Sequence, residues 1–523
     1  MYNLGIRFEN IVDNKPNKTA IKFSSLYSIT YYELNSKSNQ LARYLLKLGV
    51  TQKDVVCISG LKQLDTFACI LACLKIGAIY SILDNNSPVE RLNRIISTCQ
   101  PKVIFIERSF YKTLGKIINQ LDLSVIKNDT EELEVKLGSF DASNLDLTKK
   151  ITGDNPAYIM FTSGSTGFPK GALMTHGNVL NMISWSISTF GFCPGEKLTN
   201  VNPLYFDNSV FDLYSALFSG ACLVPFTRAE AGSPKLLMDK INELQCTSWF
   251  SVPSLLIYLD TMKMLTAENM KHIKRFIFGG EGYPKTKLIN LFRVYSDRAD
   301  IYNVYGPTEC TCICSNYKIT LADFDDLKGL PPLGNMIENF LYIILNDDNV
   351  EVGADEVGEL CLLGPNVGKG YYNDEKRTRE SFVENPLNGK YSEVMYKTGD
   401  MVSYNSFDNK IYFIGRKDNQ IKHMGYRIEL DEIELALNRL DGLSQAAVIH
   451  GKINGISQII ATISPENKTK TKLDERTIRD DLKEMIPDYM IPTKIFFEDT
   501  LPKNANGKVD RKALKDIYFS ESA

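Results

Sequence analysis

What the 523-residue sequence lacks narrows the field first. It lacks an excess of charge of either sign: 60 Lys and Arg stand against 63 Asp and Glu, a formal net charge of −3. Nothing therefore draws the chain as a whole to nucleic acid or to an anionic membrane. No stretch approaches the ~18 consecutive apolar residues of a membrane helix. The opening residues, Met1-Tyr-Asn-Leu-Gly-Ile-Arg-Phe-Glu-Asn10, lack the apolar run of a signal peptide. The expectation is no nucleic-acid partner, no membrane and a cytoplasmic location. Internal repeats and low-complexity tracts are missing too. The 11 cysteines are an odd number, and Cys69, Cys73 and Cys222 lie in apolar surroundings, so they read as reduced core thiols rather than a disulfide framework. Cys310, Cys312 and Cys314 alternate. On a strand they would share one face, but no second ligand pair lies nearby, which argues against a metal site.

What is present is an ordinary globular mix, 44% hydrophobic and 24% charged, which excludes a disordered or collagen-like chain. A single hydrophobic core stops growing near ~250–300 residues, so at least two domains are expected. Over the first ~400 residues helical and strand patterns alternate. Glu33 to Leu48 carries leucines at helical spacing, with Gly49 as a stop. Val55-Val-Cys-Ile-Ser59 and Val103-Ile-Phe-Ile106 read as buried strands, and Asp65 to Ile76 as a helix ended by Gly77. Such units imply an α/β class with parallel-rich sheets covered by helices. The pattern changes near residue 415, where the strand Lys410-Ile-Tyr-Phe-Ile414 gives way to the polar turn Gly415-Arg-Lys-Asp-Asn419. Ile433, Leu435, Leu437 and Leu440 then mark a helix. The remaining ~105 residues suffice for a small α+β domain.

The sharpest feature is Phe161-Thr-Ser-Gly-Ser-Thr-Gly-Phe-Pro-Lys-Gly171. Its glycines let the backbone turn N–H groups inward without Cβ clashes. Thr162, Ser163, Ser165 and Thr166 add hydroxyls to Gly164 and Gly167, and Lys170 adds a point charge. This is a nest for a polyphosphate. It is not a Walker loop, because Lys170 is followed by Gly171 instead of Ser or Thr. A plain Gly/Ser linker would not run through Pro169-Lys170 straight into the apolar Ala172-Leu-Met174 and a helix start at Thr175.

With its surroundings, this loop resembles the signature of the adenylate-forming superfamily: acyl-CoA synthetases, luciferases and the adenylation domains of nonribosomal peptide synthetases. Further matches follow in order: Thr30-Tyr-Tyr-Glu-Leu34, Leu74-Lys-Ile-Gly-Ala-Ile-Tyr80, Phe206-Asp-Asn-Ser209, Asn303-Val-Tyr-Gly-Pro-Thr-Glu309, Gly358-Glu-Leu360, Gly370-Tyr-Tyr372, Tyr396-Lys-Thr-Gly-Asp400, Gly415-Arg-Lys-Asp418, Arg427-Ile-Glu-Leu430 and Asn506-Gly-Lys508. The resemblance spans nearly the whole chain. It implies a large N-terminal domain, 1–417, with a β-barrel-like subdomain, and a small mobile α+β domain, 418–523.

The implied reaction has two halves. A carboxylate attacks the α-phosphate of ATP and pyrophosphate leaves; a thiol then attacks the acyl adenylate and AMP leaves. Such chemistry needs positioning and charge neutralisation more than covalent help. By resemblance, 162–170 would hold the departing phosphates and Glu309 would hold Mg²⁺, a hard cation suited to carboxylate and phosphate oxygens. Thr308 would donate to the α-phosphate. Tyr305, next to Gly306, would lie against adenine, and Asn303 would meet its polar edge. Asp400 would accept from the ribose hydroxyls, with Arg416 closing that side. Lys508 would bridge the substrate carboxylate and the phosphates as charge shifts. Taken without the resemblance, Asp400 reads as a turn cap and Lys508 as a solvated surface lysine. Asp418 matches the hinge about which the small domain would rotate between half-reactions. Gly425 would help form a channel for a phosphopantetheine arm.

The branches of the superfamily part at the substrate. Asp207 matches the aspartate that binds an amino acid's ammonium; its other reading is an N-cap for Val210 to Leu217. Acyl and aryl ligases need no carboxylate there, since an unpaired buried charge is costly. The other pocket positions carry over as Asn208, Phe211, Phe250, Ile277, Gly279, Gly280, Val304, Cys312 and Ile313. This lining is mainly apolar, so a medium aliphatic amino acid fits best, while Asn208 leaves a small polar one open. The expected enzyme is thus an amino-acid adenylation ligase serving nonribosomal peptide synthesis; since no carrier segment follows Lys508, it is expected either to pass its product to the phosphopantetheine of a separate carrier protein or to be an excised module. D-alanine–carrier protein ligation and acyl- or aryl-CoA ligation remain alternatives within the superfamily. A non-catalytic nucleotide sensor is the alternative of a different class.

Overall fold

The computed structural model describes residues 3–121, 123–164, 167–453, 456–465, 474–503 and 509–519. The chain forms two compact units. The first comprises residues 1–85, 98–161 and 171–417; the second comprises 86–97, 162–170 and 418–523. The fold is mixed α/β, and one sheet is strongly curled into a half-barrel.

In the first unit the apolar runs become the central strands of two large sheets. One is six-stranded, with strands in the order Ser124–Lys127, Val103–Ile106, Val55–Ser59, Ile79–Leu83, Pro156–Thr162, Lys170–Thr175. Val55–Ser59, Ile79–Leu83 and Val103–Ile106 are buried at every position. Helices cover both faces of a parallel sheet, so its strands need no alternation of polar and apolar residues. The helix Tyr31–Lys47 starts at Thr30, whose side chain forms a capping box with Glu33. The helix Leu64–Ile76 ends at Gly77, which adopts φ +72°, a left-handed cap that glycine takes without strain.

The second large sheet has nine strands, ordered Asn335–Met336, Ser315–Lys318, Asp300–Tyr305, Arg275–Gly279, Ser248–Ser251, Lys197–Asn200, Cys222–Pro225, Thr19–Lys22, Ser28–Thr30. Its interior pairs are parallel and its two ends antiparallel. Ser248–Ser251, Arg275–Gly279 and Asp300–Tyr305 are consecutive neighbours running the same way, with Phe250 opposite Ile277 and Gly279 opposite Val304. Their carboxyl ends lie side by side, which is where open α/β sheets place ligands. An antiparallel sheet adds Leu341–Leu345, Val357–Leu363, Val394–Asn405 and Phe382–Glu384, with Lys410–Arg416 pairing the long strand Val394–Asn405. That register sets Asp400 opposite Arg416.

In the second unit, Gln420–His423 and Tyr426–Glu429 form a hairpin. Both turn residues, Met424 and Gly425, have positive φ, the turn whose twist matches the flanking strands. A three-stranded sheet follows, with Ile456–Pro465 antiparallel to Leu443–Ile453 and parallel to Lys494–Phe497. Leu430–Leu437 packs its Ile433 and Leu437 into this core. Leu440, expected at helical spacing, lies beyond that helix because the chain turns toward Gly442 at φ +87°.

The alternating cysteines do not lie on a strand. Thr308–Cys310 is a 3₁₀ turn, Thr311 and Cys312 have positive φ, and the next strand starts at Ser315. Among the described residues, no cluster of three or more His, Cys, Asp or Glu is placed to hold a metal, no helix is long and apolar enough to cross a membrane, and the cysteines are free thiols.

Lys75, 1% exposed near the end of the largely apolar helix Leu64–Ile76, is matched rather than stranded. Its ammonium donates to Glu9 Oε1, Asn35 Oδ1 and Asn39 Oδ1, each at 2.7 Å. Burial pushes its pKa down to about 8, with Glu9 opposing. Removing the anion from a buried pair leaves an uncompensated charge. We predict that Glu9→Gln lowers unfolding stability by about 2–3 kcal/mol, read as a shift in the urea midpoint; a shift within error would show that the two asparagines suffice.

Candidate active site

In the first unit, three carboxylates, two of them buried, each accept from a neighbouring hydroxyl or guanidinium. Tyr305 closes the strand Asp300–Tyr305, and its Oη donates to Asp400 Oδ2 at 2.5 Å. Arg416 Nη1 donates to Asp400 Oδ1 at 2.7 Å and to the Thr398 carbonyl at 2.6 Å. Burial raises the Tyr305 pKa well above its ordinary value, and the Asp400 charge adds to it. The phenol is therefore a fixed donor. Asn303 spends its amide N–H on the Pro332 carbonyl at 2.8 Å.

Beyond Tyr305 the backbone doubles back. A Cβ on Gly306 would stand 2.5 Å from the Cys312 carbonyl oxygen and 2.7 Å from Ile313 Cα. Gly306 thus holds its place through close backbone approach. The turn it permits carries Thr308 and Glu309. Thr308 Oγ1 donates to Asp207 Oδ2 at 2.7 Å. Asp207 precedes the helix Asn208–Leu217 but makes no side-chain cap bond to it, so the N-cap reading fails. Glu309 is fully buried, and Tyr371 Oη donates to its Oε1 at 2.7 Å.

The expected lining residues Phe211, Phe250, Ile277, Val304, Cys312 and Ile313 belong to one buried cluster. The rings of Phe211 and Phe250 meet edge to face at 4.9 Å. A Cβ on Gly280 would lie 3.3 Å from the Asn208 amide nitrogen. Gly279 instead packs by backbone: its Cβ would stand 2.5 Å from the Val304 carbonyl oxygen. Burial raises the Cys312 thiol well above its usual range, and Asp207 adds to the shift.

The glycine-rich loop belongs to the second unit. Ser163 Oγ donates to the Arg427 carbonyl at 2.7 Å and accepts from the Glu429 N–H at 3.2 Å. The Gly164 N–H donates to Glu432 Oε2 at 3.3 Å, and Lys170 Nζ lies 3.7 Å from Glu429 Oε1. Gly167 takes φ +74°, and Arg94 donates to its carbonyl at 2.6 Å. Arg91 pairs with Glu432 Oε1 at 2.5 Å. Carboxylates therefore sit on the donors a phosphate would use, which marks the loop as anion-receptive. Thr162 Oγ1 is buried without a partner. Asp418 starts the second unit's long segment, and its Oδ1 accepts from the Gln420 N–H at 3.1 Å. Ser165, Thr166 and Lys508 lie outside the described residues.

The sequence reading missed Tyr371, Arg91, Arg94, Glu429 and Glu432. Tyr371 and Glu429 stand inside runs quoted above, but nothing local marks them as partners of Glu309 and Lys170. The arginines have no motif at all.

Comparison with known proteins places the chain in a family. The family described as AMP-binding enzyme matches residues 8–372, and the AMP-binding enzyme C-terminal domain matches 432–508. The chain belongs to this family. It is 32% identical to the L-proline–[L-prolyl-carrier protein] ligase of Pseudomonas fluorescens, over 95% of this chain and 96% of that one. It is 33% identical to the D-alanine–D-alanyl carrier protein ligase of Listeria welshimeri, over 93% of each. It also matches Gramicidin S synthase 2 of Brevibacillus brevis, of whose length it spans 11%. In fold it is similar to the Vibrio cholerae adenylation domain AlmE, crystallised with glycyl-adenosine-5'-phosphate: TM-score 0.85 and 23% identity, covering 98% of this chain and 97% of that one.

Because a Cβ at Gly306 would overlap backbone atoms that have no room to retreat, we predict that Gly306→Ala costs about 1–3 kcal/mol of stability. Urea unfolding measures it; an unchanged midpoint would mean that the turn relaxes freely.

Proposed function

We propose that this protein activates an amino acid with ATP and transfers it to the phosphopantetheine thiol of a carrier protein. A carboxylate oxygen of the amino acid attacks the α-phosphorus, the bond to the bridging oxygen breaks, and pyrophosphate leaves. The thiol sulfur then attacks the acyl carbon, the thiol proton is lost, and AMP departs with the electron pair. The observation that carries this reading is the half-buried Asp207 carboxylate, which accepts from the Thr308 hydroxyl and whose charge acts on Cys312 of the apolar lining. An α-ammonium is the cationic ligand such a carboxylate favours. The Pseudomonas and Listeria relatives, by name, ligate amino acids to carrier proteins, which supports the same acceptor here.

In this reading Tyr305 packs on adenine while its hydroxyl and Arg416 hold Asp400 toward the ribose. The loop 162–170 receives the phosphates once Glu429 and Glu432 give up its donors. Thr308 exchanges Asp207 for an α-phosphate oxygen as the ammonium takes the carboxylate. The donor set suits Mg²⁺: one carboxylate, Glu309, oriented by Tyr371, leaves the other positions to phosphate oxygens and water, as this cation prefers. When bound, Mg²⁺ neutralises charge developing on the phosphates. Lys508 serves adenylate formation and withdraws for transfer through rotation about Asp418. The lining carries no second charge, so Lys, Arg, Asp and Glu are disfavoured, and the Phe211–Phe250 contact suits an uncharged side chain of about valine's size. D-alanine is the second reading, favoured by the Listeria relative.

Amino-acid-dependent ATP–pyrophosphate exchange over a panel of amino acids tests the proposal. Stimulation by fatty or aryl acids alone would overturn it. Asp207→Ala is expected to raise the amino-acid KM about a hundredfold with ATP KM near wild type; unchanged amino-acid activation would remove the ammonium assignment. Lys508→Ala is expected to slow adenylate formation about a hundredfold while sparing transfer from supplied adenylate. Equal damage to both steps would count against domain alternation.

A further inference from the structure

Phe211 and Phe250, whose rings meet in the lining, come from different elements: the helix Asn208–Leu217 and the strand Ser248–Ser251. A polar link runs beside their packing contact. Asp212 follows Phe211 on the helix and is 1% exposed. Its Oδ2 accepts from the side-chain amides of Asn200 and Asn202, each at 3.0 Å. The same Asn202 nitrogen donates to the Phe250 carbonyl at 3.2 Å. A carboxylate only accepts, so the Asn202 NH₂ must face Asp212, and its second proton is left for Phe250. Phe211, Asp212, Asn202 and Phe250 thus close a circuit, with ring contact on one side and hydrogen bonds on the other.

The link acts at the carboxyl end of the sheet. Ser248–Ser251 runs parallel to Lys197–Asn200, with Ser248 opposite Leu198. Toward that neighbour, side chains hold both backbone groups of Phe250: its N–H donates to Thr199 Oγ1 at 3.4 Å, and its carbonyl takes Asn202. Asn200 is pinned in turn, since Lys62 Nζ donates to its carbonyl at 2.6 Å. Behind Phe211 stand Phe190 and Phe192, with ring centroids 5.7 and 6.1 Å away. With Phe211 backed in this way, the position of Phe250 decides the width between the two rings. An apolar residue could fill the Asp212 site without the cost of burying a carboxylate. What the acid adds is orientation of the asparagine amides.

We infer that Asp212 is a positioning residue for the amino-acid pocket: through Asn202 it fixes the Phe250 backbone against the helix that carries Phe211, and so sets how large a substrate side chain the pocket accepts. This rests on the proposed amino-acid adenylation and refines it. An apolar pocket separates neighbouring homologues by about ten- to two-hundredfold per methylene, and a lining free to shift forfeits that margin.

The test is ATP–pyrophosphate exchange over a panel of amino acids from glycine to tryptophan, for wild type, Asp212→Leu, Asn202→Ala and Asp212→Asn. Asp212→Leu and Asn202→Ala cut the link from opposite ends. Each is expected to raise the KM of the amino acid that wild type prefers about tenfold, with ATP KM near wild type. Each is also expected to lower the preference in kcat/KM over the next larger amino acid about tenfold. Asp212→Asn keeps an acceptor oxygen for Asn202 and is expected to recover most of that preference. Wild-type selectivity in a folded Asp212→Leu or Asn202→Ala overturns the inference. So does an Asp212→Asn as unselective as Asp212→Leu. An equal rise in both KM values, or loss of the folded state in both Asp212→Leu and Asn202→Ala, assigns the network to stability alone and overturns it too. Those outcomes leave amino-acid adenylation standing. Wild type that responds to no amino acid removes the proposed function, and this inference with it.

Discussion

The close approach of the chain at Gly306 to Cys312 and Ile313 is the constraint from which the rest of the pocket follows. Only a residue without a side chain lets the backbone leave the strand end at Tyr305 and return within a few residues. That return carries Thr308 and Glu309 in a 3₁₀ turn between Tyr305 and Cys312. It also keeps Tyr305 at the sheet's carboxyl edge, within reach of Asp400. One missing Cβ thus brings Tyr305, Thr308, Glu309 and Cys312 together in a single short loop.

Around that loop, three carboxylates, Glu309 and Asp400 among them fully or nearly fully buried, each have a specific partner. Asp207 takes Thr308, Glu309 takes Tyr371, and Asp400 takes both Tyr305 and Arg416. Hydroxyl donors such as Thr308 and Tyr371 orient a carboxylate without cancelling its charge. Arg416 does the opposite: a fixed cation in a short pair with Asp400 makes that site rigid. Preorganised groups of this kind act without reorganisation when charge shifts during reaction. The second unit follows a related logic in reverse, where Glu429 and Glu432 engage the donors of the glycine-rich loop.

Legibility in the sequence tracked locality. Buried strands such as Val55–Ser59 and Val103–Ile106 were readable because a parallel sheet demands unbroken apolar runs. The helix start at Thr175 was readable because capping is a contact over three residues, whereas the helix read from Glu33 starts at Tyr31 under a Thr30 cap. The alternating cysteines misled, since alternation implies a strand only where the backbone is extended, and Thr311 and Cys312 have positive φ. Asp207 was legible as a site residue only through its motif; its partner Thr308, 101 residues away, was quoted for another role.

The order of motifs along the chain determined the family, the reaction class and the residue types that must converge, because those are properties of short segments with their own backbone chemistry. Which hydroxyl meets which carboxylate was decided by tertiary structure alone. So was the pairing of Tyr371 with Glu309 and the link from Asp212 through Asn202 to Phe250. A hydrogen bond depends on distances of a few tenths of an ångström between strands far apart in sequence, and no local pattern of residues carries that information.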